Sequence, residues 1–379
     1  MSEIYFDNSA TTRPFQRVCE VMAQQAYENY GNPSSLHTRG SRAERTVTAA
    51  RKTVAASLHA KPEEIYFTCG GTESANLAIF GVTGARRGRH VITTAMEHPC
   101  VLRCYEQLEK QGYEVTYLTV DAAGQISLEQ LEESLREDTV LVTAMLVNNE
   151  IGSLLPIRSM GELIRRKNPD TVFLVDCVQG YCREDFSAAW CDGAIFSAHK
   201  IHGPKGTGAL YLKKGVRLSG YLFGGGQERG LRSGTENVPG IAGFAEAVSE
   251  MLPDRQKNEE RMRQVKEVLC RGALSLDGVY ENSPEDGVAH ILNLSFLGVR
   301  SETLLHFLEE QQIFVSSGSA CASHKPSPSH VLTAIGLPRE RIDSALRFSF
   351  SGENTTEQAE QCVKALREIV PALRQIKRK

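Results

Sequence analysis

Between residues 64 and 212 the chain sets six short apolar runs, four to eight residues long, with other stretches of chain between them. They are "EIYFT" (64–68), "HVITT" (90–94), "VLVTAMLV" (140–147), "VFLVD" (172–176), "GAIFS" (193–197) and "ALYL" (209–212). Their apolar residues run together rather than alternating with polar ones, the pattern of a strand covered on both faces, and such strands belong to parallel sheets. Between two of them "SLEQLEESL" (127–135) predicts a helix, with Ser127 and Gln130 as a capping box and Leu128, Leu131 and Leu135 on one face. Repeated strand–helix units predict a doubly wound α/β domain.

After Asn237 a mostly helical stretch runs to about 271, broken by Pro253, and reads as the bridge to a second unit. That unit holds a strand "HILNLSF" (290–296), a helix at 301–311 and a strand "ALRFSF" (345–350). It ends in a helix opened by Thr355 and Gln358, with Val363, Leu366, Val370 and Leu373 on one stripe. A chain of 379 residues has room for two such domains.

A formal net charge of -3 leaves no electrostatic footprint for nucleic acid. No apolar run approaches the ~20 residues a membrane helix needs. The start "MSEIYFDNSATT" lacks a basic stretch followed by an apolar one, so no secretory signal and a cytoplasmic location are expected. The ten cysteines form no Cys-x-x-Cys pair and no zinc spacing, so no metal site is expected.

Three strand ends carry chemistry. "FTCGGTES" (67–74) is a strand, a Gly-Gly turn and a helix start, where free backbone N–H groups and the helix dipole meet an anion. It is neither a P-loop nor a G-x-G-x-x-G pattern, which argues against ATP and dinucleotides. "VFLVDCVQG" ends a buried strand on Asp176, where α/β proteins place ligands, although an N-cap is the ordinary alternative. "IFSAHKIHGPKG" (195–206) ends another on Ser197, His199 and Lys200, and a lysine there is placed to form a Schiff base with a carbonyl. An anion turn, a carboxylate for a pyridine nitrogen and an amine for an aldehyde are together the parts of a pyridoxal phosphate site. Cys321 stands in "VSSGSACASHKPSPSHV" (315–331), too polar for a core strand and too rich in Gly, Ser and Pro for a stable helix. Two readings stay open on the residues alone: a surface loop with an incidental thiol, or a nucleophile that has to be exposed and to move.

The sequence resembles the cysteine desulfurases of the NifS/IscS type, within the class V aminotransferases. The resemblance runs nearly end to end, through "YFDNSATT" (5–12), "GNPSSLH" (31–37), "FTCGGTES", "EHPCVL" (97–102) and "VNNEIG" (147–152). It continues through "VDCVQG", "SAHKIHGPKG", "GGGQERGLRSGTENVPG" (224–240), "SSGSACAS" (316–323) and "LRFSF". It implies a fold type I pyridoxal phosphate transferase, with a large domain at 15–255 and a small α/β domain made of 1–14 and 256–379.

By that resemblance Lys200 carries the cofactor and acts as the Cα proton base, Asp176 partners the pyridinium nitrogen, and His98 stacks on the ring. Asn149 and Gln179 bond the ring-hydroxyl side, and Thr72, Ser197, His199 and the Gly71 amide hold the phosphate. Thr235 supplies a phosphate contact to the other subunit, which implies a homodimer. Arg347 clamps the substrate carboxylate, a bidentate task suited to a guanidinium, with support from Asn32. Cys321 is the implied nucleophile, taking sulfur from L-cysteine as a persulfide and passing it to an acceptor protein; a Gly/Ser-rich loop suits a thiolate that has to reach in and then face out. The acceptor stays open between an iron–sulfur scaffold and tRNA-thiolation or thiamin-pathway proteins, since the chain stops soon after its last helix. Cys177 and Gly180 stand where the family often has alanine. A selenocysteine lyase, another class V aminotransferase and a non-catalytic cofactor-binding scaffold are the competing readings.

Overall fold

The computed structural model describes residues 3–220, 222–317 and 328–376. Its strands are β1 Ile4–Tyr5, β2 Ile65–Thr68, β3 His90–Thr94, β4 Glu114–Leu118, β5 Thr139–Met145, β6 Val172–Asp176, β7 Gly193–Ser197, β8 Gly208–Leu212, β9 Val279–Glu281, β10 Ile291–Phe296, β11 Ile313–Phe314, β12 Ser316–Ser317 and β13 Ala345–Ser349. The helices are α1 Gln16–Glu28, α2 Thr38–Ser57, α3 Gly71–Gly84, α4 Pro99–Lys110, α5 Leu128–Ser134, α6 Ile157–Lys167, α7 Val238–Met251, α8 Arg255–Leu274, α9 Ser301–Glu310, α10 His330–Ala334, α11 Arg339–Asp343 and α12 Thr356–Ile376.

Among the described residues the large sheet has seven strands in the order β2-β8-β7-β6-β5-β3-β4. The pairs from β4 through β3, β5 and β6 to β7 are parallel, as the apolar runs predict. β8 runs against both β7 and β2. A parallel return needs a crossover of a dozen or more residues, and residues 198–207 hold only a short turn. β4 is a strand that the apolar runs pass over. It lies at the sheet edge with Glu114 exposed, so it carries no continuous apolar signal. The predicted cap of α5 forms by half: Ser127 Oγ accepts from the Gln130 amide at 3.1 Å. The Gln130 side chain turns away instead, and its Oε1 accepts from the amide and hydroxyl of Thr119. At α12 both halves of the box form, between Thr355 and Gln358.

Apolar cores cover both faces of this sheet. A third core, with Phe296, Phe348, Leu366 and Val370, joins α8, α9 and α12 to the antiparallel sheet β12-β13-β10-β9. The segment at 4–12 crosses between them. Ile4 and Phe6 belong to the third core, β1 pairs with β11, and the Phe6 carbonyl accepts from the Ser349 amide at 2.7 Å. A few residues farther on, the Thr12 amide donates to the His199 carbonyl at 2.9 Å.

The outer edge of β2 is closed by side chains. Arg51 and Arg229 donate to the Ile65 carbonyl at 2.7 and 2.6 Å, and the Phe67 amide donates to Glu228 Oε2 at 3.1 Å. Arg51 also grips Glu228 with both ends of its fork, at 2.7 and 2.8 Å. An edge covered in this way offers no template to another strand.

The chain leaves β3 for β4 on one side and then runs from β5 through β6 to β7 on the other. The reversal puts the crevice for a ligand above the carboxyl ends of β3 and β5.

Candidate active site

A cleft of about 340 Å³ opens at that reversal. His98 follows β3, Asn149 follows β5, Asp176 closes β6, and Ser197, His199 and Lys200 lie at and just past the end of β7; all of them line the cleft. Gly71, Thr72, Gln179 and Arg347, also singled out by the sequence, line it as well.

Asp176 is buried, and its Oδ1 accepts from the Val178 amide at 2.9 Å. Burial pushes its carboxyl up to about 6, against the pull of that amide and of Lys200. Lys200 Nζ donates to the carbonyls of Ser9 at 2.6 Å and Ala10 at 2.8 Å. His98 caps α4, and its Nδ1 accepts from the Cys100 amide at 3.2 Å. Burial, aided by Lys200 and His330, lowers its imidazole to about 4. His98 is therefore neutral near pH 7, with its proton on Nε2. Beside it, Glu97 is fully buried and pushed up to about 8, chiefly by burial. Its Oε1 accepts from Thr94 and the Met145 amide.

The Gly-Gly turn opens α3. Gly70 has φ 150°, which a residue with a side chain rarely adopts. The first helical bond runs from the Ser74 amide to the Gly70 carbonyl, so the Gly71 and Thr72 amides have no acceptor in the turn before them. Glu73 sits in the same turn, held by Arg232 at 2.7 Å. His199 lies across from this turn with Nδ1 at 3.1 Å from Thr11 Oγ1, and burial lowers it to about 4.

Arg347 is buried in β13. Its Nη1 donates to the Asn149 carbonyl and its Nη2 to Asp7 Oδ1, both at 2.9 Å. Its Nε is buried with no partner among the described residues. Burial raises the Asp7 carboxyl against the pull of Arg347. Gln179 Nε2 donates to the Ser9 carbonyl at 2.9 Å, while its Oε1 is buried without a partner among the described residues. These two orphaned atoms, an amine-bearing lysine, a buried carboxyl and a helix start with open amides fit a phosphorylated pyridine aldehyde and an amino-acid carboxylate. Lys200 and Asp176 would hold the aldehyde and the ring nitrogen, and the turn at 70–72 the phosphate.

Two of the expected residues do not reach this cleft. Asn32 is exposed, and its Oδ1 accepts from the Ser34 amide in a local turn. Thr235 is also exposed and does not line the cleft of its own chain. Cys321 lies outside the described residues. The residues on either side of 318–327 do meet the cleft. Ser316 and Ser317 line it. Ser329 Oγ donates to Glu150 Oε2, and His330 Nε2 lies 2.9 Å from the Glu97 carbonyl.

Sequence reasoning missed Asp7, Ser9, Ala10, Glu97 and Glu150. Each acts through contacts far away in sequence, and only the quoted stretches "YFDNSATT", "EHPCVL" and "VNNEIG" carried them.

The Aminotransferase class-V family model matches residues 4–362. The putative cysteine desulfurase IscS 1 of Bacillus subtilis (strain 168) is 43% identical over 380 residues, spanning 98% of this chain and all of that protein. A solved NifS-like protein superposes with a TM-score of 0.93 at 39% identity, over 98% of this chain and 100% of its own. SspA, solved in complex with cysteine, superposes with a TM-score of 0.82 at 35% identity, over 92% of this chain and 99% of its own.

Proposed function

The chain belongs to the class-V aminotransferase family, among its cysteine desulfurases, and on that premise we propose how the cleft uses pyridoxal 5'-phosphate to move sulfur from L-cysteine to Cys321. The observation that carries the reading is the meeting of Lys200, Asp176 and the open start of α3 in one cleft. When bound there, the cofactor supplies the electron sink that makes the substrate Cα–H acidic.

The residues divide the remaining work. Asp176 would accept from the ring N–H and keep that proton in place, and its burial would strengthen the pairing. Lys200 holds the cofactor and then moves the proton at the substrate Cα. Arg347 takes the substrate carboxylate, for which its Nε is still open. Neutral His98, with its proton on Nε2, would face the bound ring, and Gln179 Oε1, which has no partner among the described residues, would accept a hydrogen bond from the cofactor. The Cys321 thiolate attacks the substrate sulfur. The carbon–sulfur bond breaks and a sulfur–sulfur bond forms, giving alanine and a persulfide on Cys321, which an acceptor protein then discharges. Cys321 is four residues beyond Ser317, a lining residue, and four residues can span at most ~14 Å.

Another thiol, Cys100, lines the cleft, but burial holds it far above the usual thiol range and so protonated.

Residues 15–255, and 1–14 with 256–379, are taken as two domains, a division supported by the separate core around Phe348. A homodimer is supported by the exposure of Thr235 off its own cleft and by the exposure of Tyr27, Tyr30, Leu36 and Phe223. Among the described residues no helix is long and apolar enough to cross a membrane.

The test is conversion of L-cysteine to alanine and sulfide with a thiol reductant present. Lys200→Ala should lose both the visible cofactor band and turnover. Cys321→Ala should keep the band and lose sulfide release. Wild-type sulfide release from Cys321→Ala would overturn the assignment of the nucleophile.

A further inference from the structure

Arg183 lies in the connection that leaves β6, just past Cys182, which has a φ of 61°. It is 4% exposed. The guanidinium donates from Nη1 to the Gln179 carbonyl at 3.4 Å and from Nη2 to the Lys200 carbonyl. Both of these named partners are main-chain carbonyls. The carboxylate next in sequence, Glu184, lies 3.8 Å from His290 Nδ1 and attracts Arg183 through space, with no hydrogen bond to it among the described residues. Burial brings Arg183 down to about 10, so it is still a cation at neutral pH. Burying a cation in this way carries a steep desolvation cost, and an apolar side chain would fill the space more cheaply.

The geometry shows what the cation does. Gln179 and Lys200 sit on two different strand ends and are tied twice. On the cleft side both side chains donate to the Ser9 carbonyl, from Gln179 Nε2 and Lys200 Nζ. Behind the cleft both main chains accept from Arg183. The two ties differ in one respect. The Ser9 tie uses Lys200 Nζ, the atom that the proposed chemistry engages. The Arg183 tie uses the Lys200 carbonyl, which the chemistry leaves alone.

We propose that Arg183 is the positioning residue of this active site: its planar fork fixes the main chain of Lys200 against that of Gln179 while Lys200 Nζ is occupied by cofactor and substrate protons. The inference rests on the cofactor roles given to Lys200 and Gln179 above. A lysine has one compact head and cannot span both carbonyls as a fork does.

The experiment uses the full-length enzyme loaded with pyridoxal 5'-phosphate, comparing wild type with Arg183→Met and Arg183→Lys. It reads four quantities: the pH midpoint of the visible band, cofactor fixed to Lys200 by borohydride, kcat and KM for L-cysteine, and the thermal midpoint of the apo-protein. Both variants should shift the band midpoint by about half a pH unit or more. In both, kcat should fall about 10- to 100-fold, the size expected of a misplacement on the ångström scale. KM should stay within about twofold, since Arg347 is untouched. The apo-protein should melt no lower in Arg183→Met, because a buried cation has gone. Band midpoint and kcat equal to wild type in Arg183→Lys would overturn the proposal. So would a loss of kcat that tracks a lowered melting point with the band unmoved. Arg183→Lys keeps the cation and decides the matter where Arg183→Met fails to fold. A wild-type protein that borohydride does not label at Lys200 would instead overturn the cofactor roles themselves.

Discussion

Replacing Asp176 by Asn should make the apo-protein more stable at neutral pH. The Asp176 carboxyl is held at about 6 in the folded protein against an ordinary value of 3.8, with burial as the largest cause. At ~1.4 kcal/mol per pKa unit the gap amounts to about 3 kcal/mol. Its sign is set by the direction of the shift. Below about pH 4 the carboxyl is protonated both folded and unfolded, and the buried site costs nothing extra. As pH rises through 6 the folded protein has to hold a carboxylate that the unfolded chain would ionise freely, so stability is lost. Asn carries no such penalty, and its Oδ1 still accepts from the Val178 amide, as Asp176 Oδ1 does now. With ~2 cal/mol/K of unfolding entropy per residue, about 3 kcal/mol is about 4 °C for a chain of this length. The assay is the thermal midpoint of cofactor-free wild type and Asp176→Asn, taken from pH 4 to pH 8. The two curves should meet near pH 4 and stand about 4 °C apart, variant higher, above pH 6. With pyridoxal 5'-phosphate the order should reverse in function, the variant losing cofactor faster and turning over little. A variant that melts lower at pH 7.5, or by a margin independent of pH, would refute the assignment of burial as the cause.

Glu228→Gln should cost about 3 kcal/mol in urea titration, because Arg51 is left with its charge nearly buried and unpaired; a change under about 0.5 kcal/mol would place the pair among surface bridges of little worth. Asp7→Asn should raise KM for L-cysteine about tenfold with kcat within about threefold, since the carboxylate that pre-aims Arg347 is gone. An unchanged KM would show that Arg347 is aimed by the Asn149 carbonyl alone.

The legible part of this fold is the part whose signal is local. Asp176, Ser197 and Lys200 could be placed because buried strands read as apolar runs, and the residues closing such a run sit at the carboxyl end of its strand. Gly71 and Thr72 could be placed because a Gly-Gly pair between a strand and a helix has few other uses. β4 was hidden because an edge strand needs no unbroken apolarity. The reversal of β8 was hidden because direction depends on what fits between two strands, not on the strand itself. The Gln130 side chain has an alternative partner in Thr119, which local spacing does not show. Asp7 illustrates the harder limit. Nothing near it in sequence shows that Arg347, 340 positions away, is the group it holds. Thr235 and Asn32 carry no local signal for the cleft either, and both lie off the one formed by their own chain.

The crossing segment at 4–12 has a consequence for the order in which a ribosome delivers this enzyme. Asn8 donates to the Ser349 carbonyl across 341 positions, and β1 takes its register from β11. Among the described residues the large sheet draws its strands from 65–212, and it can condense long before those partners exist. A half-made chain therefore has Asp176 and Lys200 in hand while Ile4 and Phe6 still lack the core that receives them. Contacts this distant in sequence close late, after the loop between them has been drawn in. The segment that bears the Ser9 and Ala10 carbonyls holding Lys200 gains its partners in β11 and at Ser349 only after those residues have emerged. Catalytic competence thus waits for nearly the whole of the coding sequence to be read, and fragments released early do not carry a working sulfur-mobilising centre.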